Sequence, residues 1–286
     1  MSRIEVRDVS KEFKDTKALS HVNLLIEENT IYGLLGRNGA GKSTLLNIIN
    51  NRLFPGGGTV LMGDETLTEN TALLSKCFLA NETNLYPEGM KVKDAFRWTR
   101  EFYPDFDADY AGELSRLFEL PVKKKIKSLS TGYQSIFRNI TALSVNVPFV
   151  FLDEPVLGLD ACHRELFYKL LIEKYARDPF TAVVSTHLIE EAANIIEQVI
   201  VIDKGQIIRN EPTESLLNSG YCISGPAGTV DAYIKAREVI GTDILGGLKS
   251  AYVIGEPEYP LPSGLSVSKM DLQKLFIKLT DNLHSR

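Results

Sequence analysis

The chain has 286 residues and a formal net charge of −5, from 32 lysines and arginines against 37 aspartates and glutamates. At roughly 100–200 residues per domain, this length suggests one large domain or a domain with an appendage. Hydrophobic residues make up 44%, enough for a sizeable core, and charged residues of both signs at 24% argue against general disorder. The mild acidity argues against a protein that coats nucleic acid through bulk charge.

The chain carries no sequence signal for an oxidising compartment or for membrane insertion. Cys77, Cys162 and Cys222 lie far apart, which predicts neither a disulfide framework nor a zinc site and favours a reducing cytosol. The first ten residues lack the pattern of a signal peptide, and no stretch approaches the roughly 18 consecutive apolar residues that span a bilayer. We therefore expect any role at a membrane to be exercised through a partner.

The hydrophobic pattern predicts strands and helices in alternation. Strands are predicted at 4–9, 22–26, 31–35, 59–62, 149–152, 182–185, 199–202 and 206–209. Helical spacing follows at 42–49 and in a block between about 83 and 145. This order indicates an α/β fold with a mostly parallel sheet, antiparallel N-terminal strands and an inserted helical subdomain.

The strand pattern stops after about residue 210. The rest of the chain contains glycine and proline punctuation and one amphipathic stretch at 270–279. We therefore predict two domains, a main domain over 1–210 with its helical subdomain at about 83–145, and a small C-terminal accessory domain over 211–286.

A glycine-rich loop lies between the predicted strand 31–35 and the predicted helix 42–49. Its residues are Gly36, Arg37, Asn38, Gly39, Ala40, Gly41, Lys42, Ser43 and Thr44, which match GxxxxGK[ST] in full. Glycines allow backbone N–H groups to surround a phosphate chain, and the helix N-terminus adds a favourable dipole. Lys42 can reach the β- and γ-phosphates, and the Ser43 hydroxyl can ligate Mg²⁺. The sequence therefore predicts a P-loop NTPase core that binds a nucleoside triphosphate.

Two carboxylates follow the buried strand at 149–152. Asp153 and Glu154 stand where parallel strands end at the ligand crevice. Asp153 can hold Mg²⁺ through water, and Glu154 can polarise the water that attacks the γ-phosphate. The second carboxylate indicates hydrolysis, since binding alone does not need it.

Three further segments, together with the glycine-rich loop and the carboxylates at 153–154, make the chain resemble the ATP-binding-cassette family. Leu-Ser-Thr-Gly-Tyr at 129–133 corresponds to the family's LSGGQ-like signature, and Val-Leu-Gly-Leu-Asp at 156–160 corresponds to its D-loop. Ser-Thr-His at 185–187 follows an apolar strand, as the family's switch histidine does. The match covers most of the chain from residue 1 to about 209.

The resemblance implies an ATPase subunit that works with ATP and Mg²⁺ in a head-to-tail pair of identical or different nucleotide-binding subunits. It also implies a separate integral-membrane subunit, a place on the cytoplasmic side of the cell membrane, and no nucleic-acid partner. The resemblance implies that Ser130, Thr131 and Gly132 contact the ATP bound by the partner subunit. It implies that His187 and Glu154 together hold the attacking water. It also places Asp160 in the D-loop and Phe13 in a stack on adenine.

The chain departs from the family pattern at two places. In the signature, Thr131 replaces a glycine and Tyr133 replaces a glutamine. In the loop where the family has a glutamine, Asn81 stands instead, one methylene shorter, and Glu82 is an alternative in that position.

The Phe-Tyr-Pro-Asp-Phe-Asp block at 102–107 resembles ATPases of small Gram-positive-type exporters of drugs or peptides. The signature is similar to that of phenol-soluble-modulin exporters. An exporter is therefore the first interpretation. Two alternatives stay open: a soluble cassette ATPase that acts on the ribosome or nucleic acid, and a nucleotide-gated immunity factor that sequesters a peptide.

Overall fold

The computed structural model describes residues 3–87 and 89–284, so the outermost residues of the two predicted domains lie outside the described residues. In chain order, its strands are β1 Ile4–Phe13, β2 Thr16–Ile26, β3 Ile31–Leu35, β4 Gly57–Met62, β5 Glu65–Thr66, β6 Cys77–Ala80, β7 Phe149–Asp153, β8 Thr181–Thr186, β9 Gln198–Asp203, β10 Gln206–Pro212, β11 Gly220–Pro226, β12 Val239–Leu245, β13 Leu248–Ile254 and β14 Ser266–Lys269. Its α-helices are α1 Lys42–Ile49, α2 Thr71–Leu74, α3 Val92–Phe102, α4 Ala108–Leu117, α5 Thr131–Ser144, α6 Ala161–Arg177, α7 Ile189–Ala192, α8 Thr213–Asn218, α9 Ala227–Ile234 and α10 Leu272–His284.

A six-stranded sheet with the order β10-β9-β3-β8-β7-β6 forms the centre of the fold. Its strands pair in parallel except for the antiparallel pair β9 and β10. In this register, Leu35 lies beside Thr186, and Asp153 lies beside Ser185. The predicted α/β fold with a mostly parallel sheet is confirmed.

The sheet is buried on both faces because successive residues of its strands pack into different cores. In β7, Val150 and Leu152 join one apolar cluster with the helical block, while Phe149 and Phe151 join a second cluster with α1 and the N-terminal strands. Burial on both faces explains why the pattern of β7 is continuously apolar rather than alternating.

The N-terminal strands form a separate antiparallel sheet with the order β2-β1-β4-β5. As predicted, the first two strands are joined by a short polar turn, but both continue further toward that turn than the predicted ranges 4–9 and 22–26. The pairing of β1 with β2 contains register shifts, which bend the hairpin.

The helical block lies between β6 and β7 as an insertion into the central sheet. It consists of α3, α4 and α5, and its apolar side chains pack together around Phe96, Phe106 and Phe137. No helix among the described residues combines the length and the hydropathy that a bilayer span requires.

The expectation that strands stop after residue 210 is wrong. The C-terminal segment, 213–284, contains a second antiparallel sheet with the order β12-β13-β11-β14, and α9 packs on it around Val230. Two of these strands, β11 and β12, contain glycine, and none of the four is buried along its whole length. Their sequence therefore lacks the regular alternation that identifies a half-buried strand.

The amphipathic stretch predicted at 270–279 is a helix, and it ties the C-terminal segment to the central fold. Leu272, Leu275 and Phe276 of α10 are buried in the same cluster as Ile189 and Ile195, which lie in and just after α7. The C-terminal segment thus packs directly on the helix that follows β8.

Replacing Leu275 by alanine should therefore lower the free energy of unfolding by about 2–4 kcal/mol, since it removes a fully buried leucine side chain. Ile277 on the same helix is 40% exposed, and its replacement by alanine is the control, with an expected loss below about 1 kcal/mol. Urea unfolding measures both, and equal losses would contradict the packing of α10 described above.

Candidate active site

Three neighbouring strands of the central sheet end at one edge, and residues from the sequence motifs follow each of them. The loop 36–44 follows β3, Glu154 follows β7, and His187 follows β8. The carboxyl ends of strands in an open α/β sheet form the crevice where ligands bind. The fold therefore brings together motifs that lie more than 140 residues apart in the chain.

The loop after β3 depends on two glycines with positive φ. Gly39 has a φ of +81°, and Gly41, the N-terminal cap of α1, has a φ of +110°. A Cβ atom on Gly41 would lie 2.6 Å from the carbonyl oxygen of Ala18, whereas one on Gly39 would have no neighbour within 4 Å. This glycine-rich turn into a helix N-terminus has the geometry that suits phosphate groups.

Lys42 is buried although it carries an ammonium group. Only 6% of the residue is exposed, and its Nζ donates a hydrogen bond to the carbonyl oxygen of Gly36 at 2.7 Å. The same Nζ lies 3.7 Å from Oε1 of Glu154. A buried cation needs such partners, and they hold Lys42 between the glycine-rich loop and the end of β7.

Glu154 has a strained backbone and two charged or polar neighbours. Its φ is +50°, a conformation that costs a residue with a side chain about 1–2 kcal/mol. Its Oε2 lies 2.8 Å from Nδ1 of His187, and its Oε1 faces Lys42. The backbone N–H of Glu154 donates to the carbonyl oxygen of Ser185, which fixes the strained turn against β8.

Asp153 leaves one carboxylate oxygen without a hydrogen-bond partner among the described residues. This oxygen, Oδ1, is buried. It lies beside an open cleft of about 300 Å³, which is lined by Ser43, Asn47, Asn81, Glu82, Thr83, Asp153 and Glu154. A buried anionic oxygen without a donor is costly unless a ligand or ion completes it. Together with the Ser43 hydroxyl it fits Mg²⁺, which proteins bind through few ligands with substrate phosphates and waters supplying the rest.

Asn81, at the position expected for glutamine, is buried and its side-chain oxygen already has two donors. Arg52 donates to this oxygen at 2.9 Å, and the backbone N–H of Thr83 donates to it at 3.2 Å. Glu82 is exposed and lines the cleft. Arg52 could not be recognised from the sequence, since it belongs to no motif and lies 29 residues before Asn81.

The signature and the D-loop pack against each other. Ser130 caps α5, where its Oγ accepts a hydrogen bond from the backbone N–H of Tyr133. A Cβ atom on Gly132 would lie 2.7 Å from the carbonyl oxygen of Gly158, so only glycine permits this approach. Thr131 and Ser130 are exposed at the start of the helix.

Asp160 ends the D-loop and caps α6. It accepts hydrogen bonds from the backbone N–H of His163 and from the His163 ring, each at 2.9 Å. These two bonds, the backbone one first, hold the pKa of the Asp160 carboxyl below its usual value. Asp160 is therefore an ionised cap of α6.

Phe13 is the last residue of β1, at the turn of the hairpin that β1 forms with β2. The ring is 45% exposed, and Nζ of Lys11 lies 5.4 Å from its centre. Further along the same hairpin, Ala18 approaches Gly41 closely. Phe13 is thus an exposed aromatic ring on the hairpin that borders the loop 36–44.

An aromatic groove, which the sequence analysis also missed, lies beside the loop that contains Asn81. It has a volume of about 500 Å³, and its aliphatic and aromatic lining is Leu74, Phe78, Leu85, Tyr86, Trp98, Phe102 and Tyr103. Leu85, Trp98 and Phe102 are exposed by 61%, 41% and 64%. Exposed apolar side chains gathered in one groove are typical of a protein interaction site.

Comparison with known proteins agrees with this geometry. Residues 19–157 match the family model described as ABC transporter. Over 241 residues the chain is 30% identical to the ABC transporter ATP-binding protein YtrB of Bacillus subtilis, covering 84% of this chain and 78% of that protein. The chain belongs to the ABC transporter family. It is an ATP-binding subunit of an ABC transporter, and it is an ATPase.

Further relatives of this ABC subunit extend the comparison. It is 30% identical to the putative ABC transporter ATP-binding protein AlbC of Bacillus subtilis, over 72% of this chain and 90% of that protein. The names of other relatives include both a multidrug transporter protein and a ribose import protein. The dimeric structure of a bacterial ABC transporter cassette is similar with a TM-score of 0.65 and 26% identity, over 73% of this chain and 98% of that chain.

Replacing Gly41 by alanine should distort the glycine-rich loop of this ABC subunit, because the new Cβ meets the Ala18 carbonyl and φ is +110°. We expect at least a tenfold loss of ATP affinity and a lower free energy of unfolding. Gly39→Ala is the matched control: it has positive φ but free space, so its cost should be about 1–2 kcal/mol of stability. Nucleotide titration and urea unfolding measure the two effects, and equal losses in the two variants would contradict the steric argument.

Proposed function

We propose that this ABC subunit hydrolyses ATP with Glu154 and His187 as its catalytic pair and that it powers an exporter of peptides or drugs. The observation that carries the catalytic assignment is the strained Glu154, with His187 at 2.8 Å on one oxygen and Lys42 at 3.7 Å from the other. In this proposal Glu154 takes a proton from the water that attacks the γ-phosphate. His187 orients Glu154 and that water.

The groups that would bind the phosphates and the metal ion lie at the same edge of the sheet. The loop 36–44 binds the phosphate chain, and Lys42 exchanges part of its present contacts for the β- and γ-phosphates. Ser43 would hold Mg²⁺ directly and Asp153 would hold it through water, and the ion would neutralise charge on the phosphate oxygens. The buried, unpaired Oδ1 of Asp153 supports this assignment.

We further propose that two such subunits, identical or different, face each other head to tail. Ser130, Thr131 and Gly132 of one subunit would then contact the γ-phosphate held by the other. The exposed N-terminus of the 14-residue helix α5 supports this role, because its dipole favours an anion. Asp160 keeps the D-loop attached to α6 beside the signature. Phe13 stacks on the adenine.

The aromatic groove is the surface on which we place the integral-membrane subunit. Its exposed apolar lining suits a helical segment with large apolar side chains, and it borders the loop that contains Asn81 and Glu82. Docking there would hold this chain at the cytoplasmic side of the cell membrane. In this proposal residues 1–210 are the nucleotide-binding domain and residues 211–286 are the accessory domain.

The exporter assignment rests on the resemblance of the 102–107 block and the signature, since the names of the relatives include both transport directions. The family match, which makes this chain a transporter subunit, argues against the two alternatives of a soluble cassette on the ribosome and a peptide-sequestering immunity factor. The Glu154–His187 pair favours hydrolysis over sequestration, because holding ATP does not require a base beside the γ-phosphate.

Replacing Glu154 by glutamine should leave ATP binding within about threefold and lower turnover at least a hundredfold, since the amide cannot accept the proton. The variant should trap the ATP-bound pair. After gentle solubilisation of membranes, mass spectrometry of the tagged variant should then find a multi-spanning protein in stoichiometric amount.

Undiminished hydrolysis in this variant would contradict the role of Glu154. Recovery with ribosomes, or from the soluble fraction alone, would contradict the transporter partner and leave the ATPase assignment intact.

Replacing Trp98 by alanine should reduce co-purification of the membrane subunit at least tenfold without changing ATP affinity, because it removes a large apolar surface from the groove. Ile172→Ala on α6 is the control, since Ile172 is 42% exposed against 41% for Trp98 and lies outside the groove lining. Equal recovery of the membrane subunit with both variants would contradict docking in the groove.

A further inference from the structure

Arg52 is a partly buried cation without an acidic partner among the described residues. It lies three residues after the end of α1, between the aromatic groove and the loop that contains Asn81. Burial lowers the pKa of its guanidinium from the ordinary value. Such a cation is costly to keep beside apolar side chains unless its hydrogen bonds do something that an apolar residue cannot do.

The guanidinium of Arg52 donates hydrogen bonds to the end of β6 and to the residue after it. Nη2 donates to the carbonyl oxygen of Leu79 at 2.7 Å, and Nη1 donates to Oδ1 of Asn81 at 2.9 Å. Because arginine can only donate, the oxygen of the Asn81 amide must face Arg52. The backbone N–H of Thr83 uses the same oxygen, so both of its lone pairs are occupied.

The amide nitrogen of Asn81 therefore faces α1, and the chain of hydrogen bonds continues there. Nδ2 of Asn81 donates to Oδ1 of Asn47 at 3.3 Å. Nδ2 of Asn47 in turn donates to the backbone carbonyl oxygen of Ser43 at 2.7 Å. A continuous chain of side chains thus runs from Arg52 to the first turn of α1, where Ser43 lines the cleft.

We infer that Arg52 is a positioning residue for the magnesium–ATP site, acting through Asn81 and Asn47 on Ser43. The inference rests on the proposed function, which gives Ser43 its place as a magnesium ligand. It assigns Asn81 a task different from that expected of a glutamine: its oxygen is held by Arg52, and its nitrogen supports Asn47. The shorter side chain suits this task, since it spans the distance between Arg52 and α1 and need not reach the metal itself.

The experiment measures the ATP affinity of the full chain in excess Mg²⁺ and in excess EDTA, using Arg52→Met and Arg52→Lys. Methionine keeps an apolar stem and removes every donor. We call the factor by which Mg²⁺ tightens ATP binding the magnesium factor. We expect it to fall about tenfold in Arg52→Met, because the charge-assisted hydrogen bonds are lost. The affinity in EDTA should stay within about twofold. The magnesium factor of Arg52→Lys should lie between those of the wild type and Arg52→Met, because the lysine ammonium keeps the charge but lacks the planar guanidinium that donates two hydrogen bonds side by side.

A double-mutant cycle separates positioning from general destabilisation. Asn81→Ala should reduce the magnesium factor to a similar extent, and Arg52→Met with Asn81→Ala should reduce it no further, since both changes break the same chain. If Arg52→Met does not fold, Asn47→Ala tests the same connection from the other end. Thermal unfolding of each variant records any loss of stability separately.

An unchanged magnesium factor in Arg52→Met, or additive losses in the double variant, would overturn the inference. Those outcomes leave the proposed function standing, because the wild-type chain would still bind magnesium–ATP. A wild-type chain whose ATP affinity did not respond to Mg²⁺ would instead overturn the magnesium assignment of Ser43 and the inference with it.

Discussion

The site depends on the parallel pairing of β3, β8 and β7 in the middle of the central sheet. Because the strands run in the same direction, the residues after each of them emerge at one edge. The strand register places Leu35 beside Thr186 and Asp153 beside Ser185. A shift by one residue would turn each buried side chain to the opposite face. The apolar cores on both faces therefore fix the relative positions of the loop 36–44, Glu154 and His187.

On this frame, the charged side chains of the site are held by backbone carbonyl groups and by one another. Lys42 is held by a carbonyl oxygen and by Glu154, and Glu154 is held in turn by His187. Oδ1 of Asp153 is buried and has no hydrogen-bond partner among the described residues. In the proposed function, a triphosphate with its metal ion would offer these side chains new partners of opposite charge.

The sequence was a good guide wherever function and structure are encoded in neighbouring residues. The loop 36–44 and helix α1 could be predicted because glycines, a lysine and helical spacing occur in one short run. The link between Arg52 and Asn81 could not, since it joins residues 29 positions apart and depends on how β6 packs beside α1. The sheet formed by β11 to β14 was missed for another reason. Its strands are partly exposed, and glycine interrupts β11 and β12, so no regular pattern identifies them and the packing of α9 and α10 helps to stabilise them.

The contact between Arg37 and Asp281 has a consequence for how the chain matures. Nη1 of Arg37, in the glycine-rich loop, lies 3.2 Å from the carboxylate of Asp281 on α10, and 244 residues separate the two. At about 5–20 residues per second of synthesis, Asp281 is made tens of seconds after Arg37. The glycine-rich loop of the nascent chain therefore exists for that time without its C-terminal neighbour. Any nucleotide that binds during synthesis meets a loop whose outer arginine is still unpaired with α10, and the finished arrangement is reached only when α10 has packed on α7.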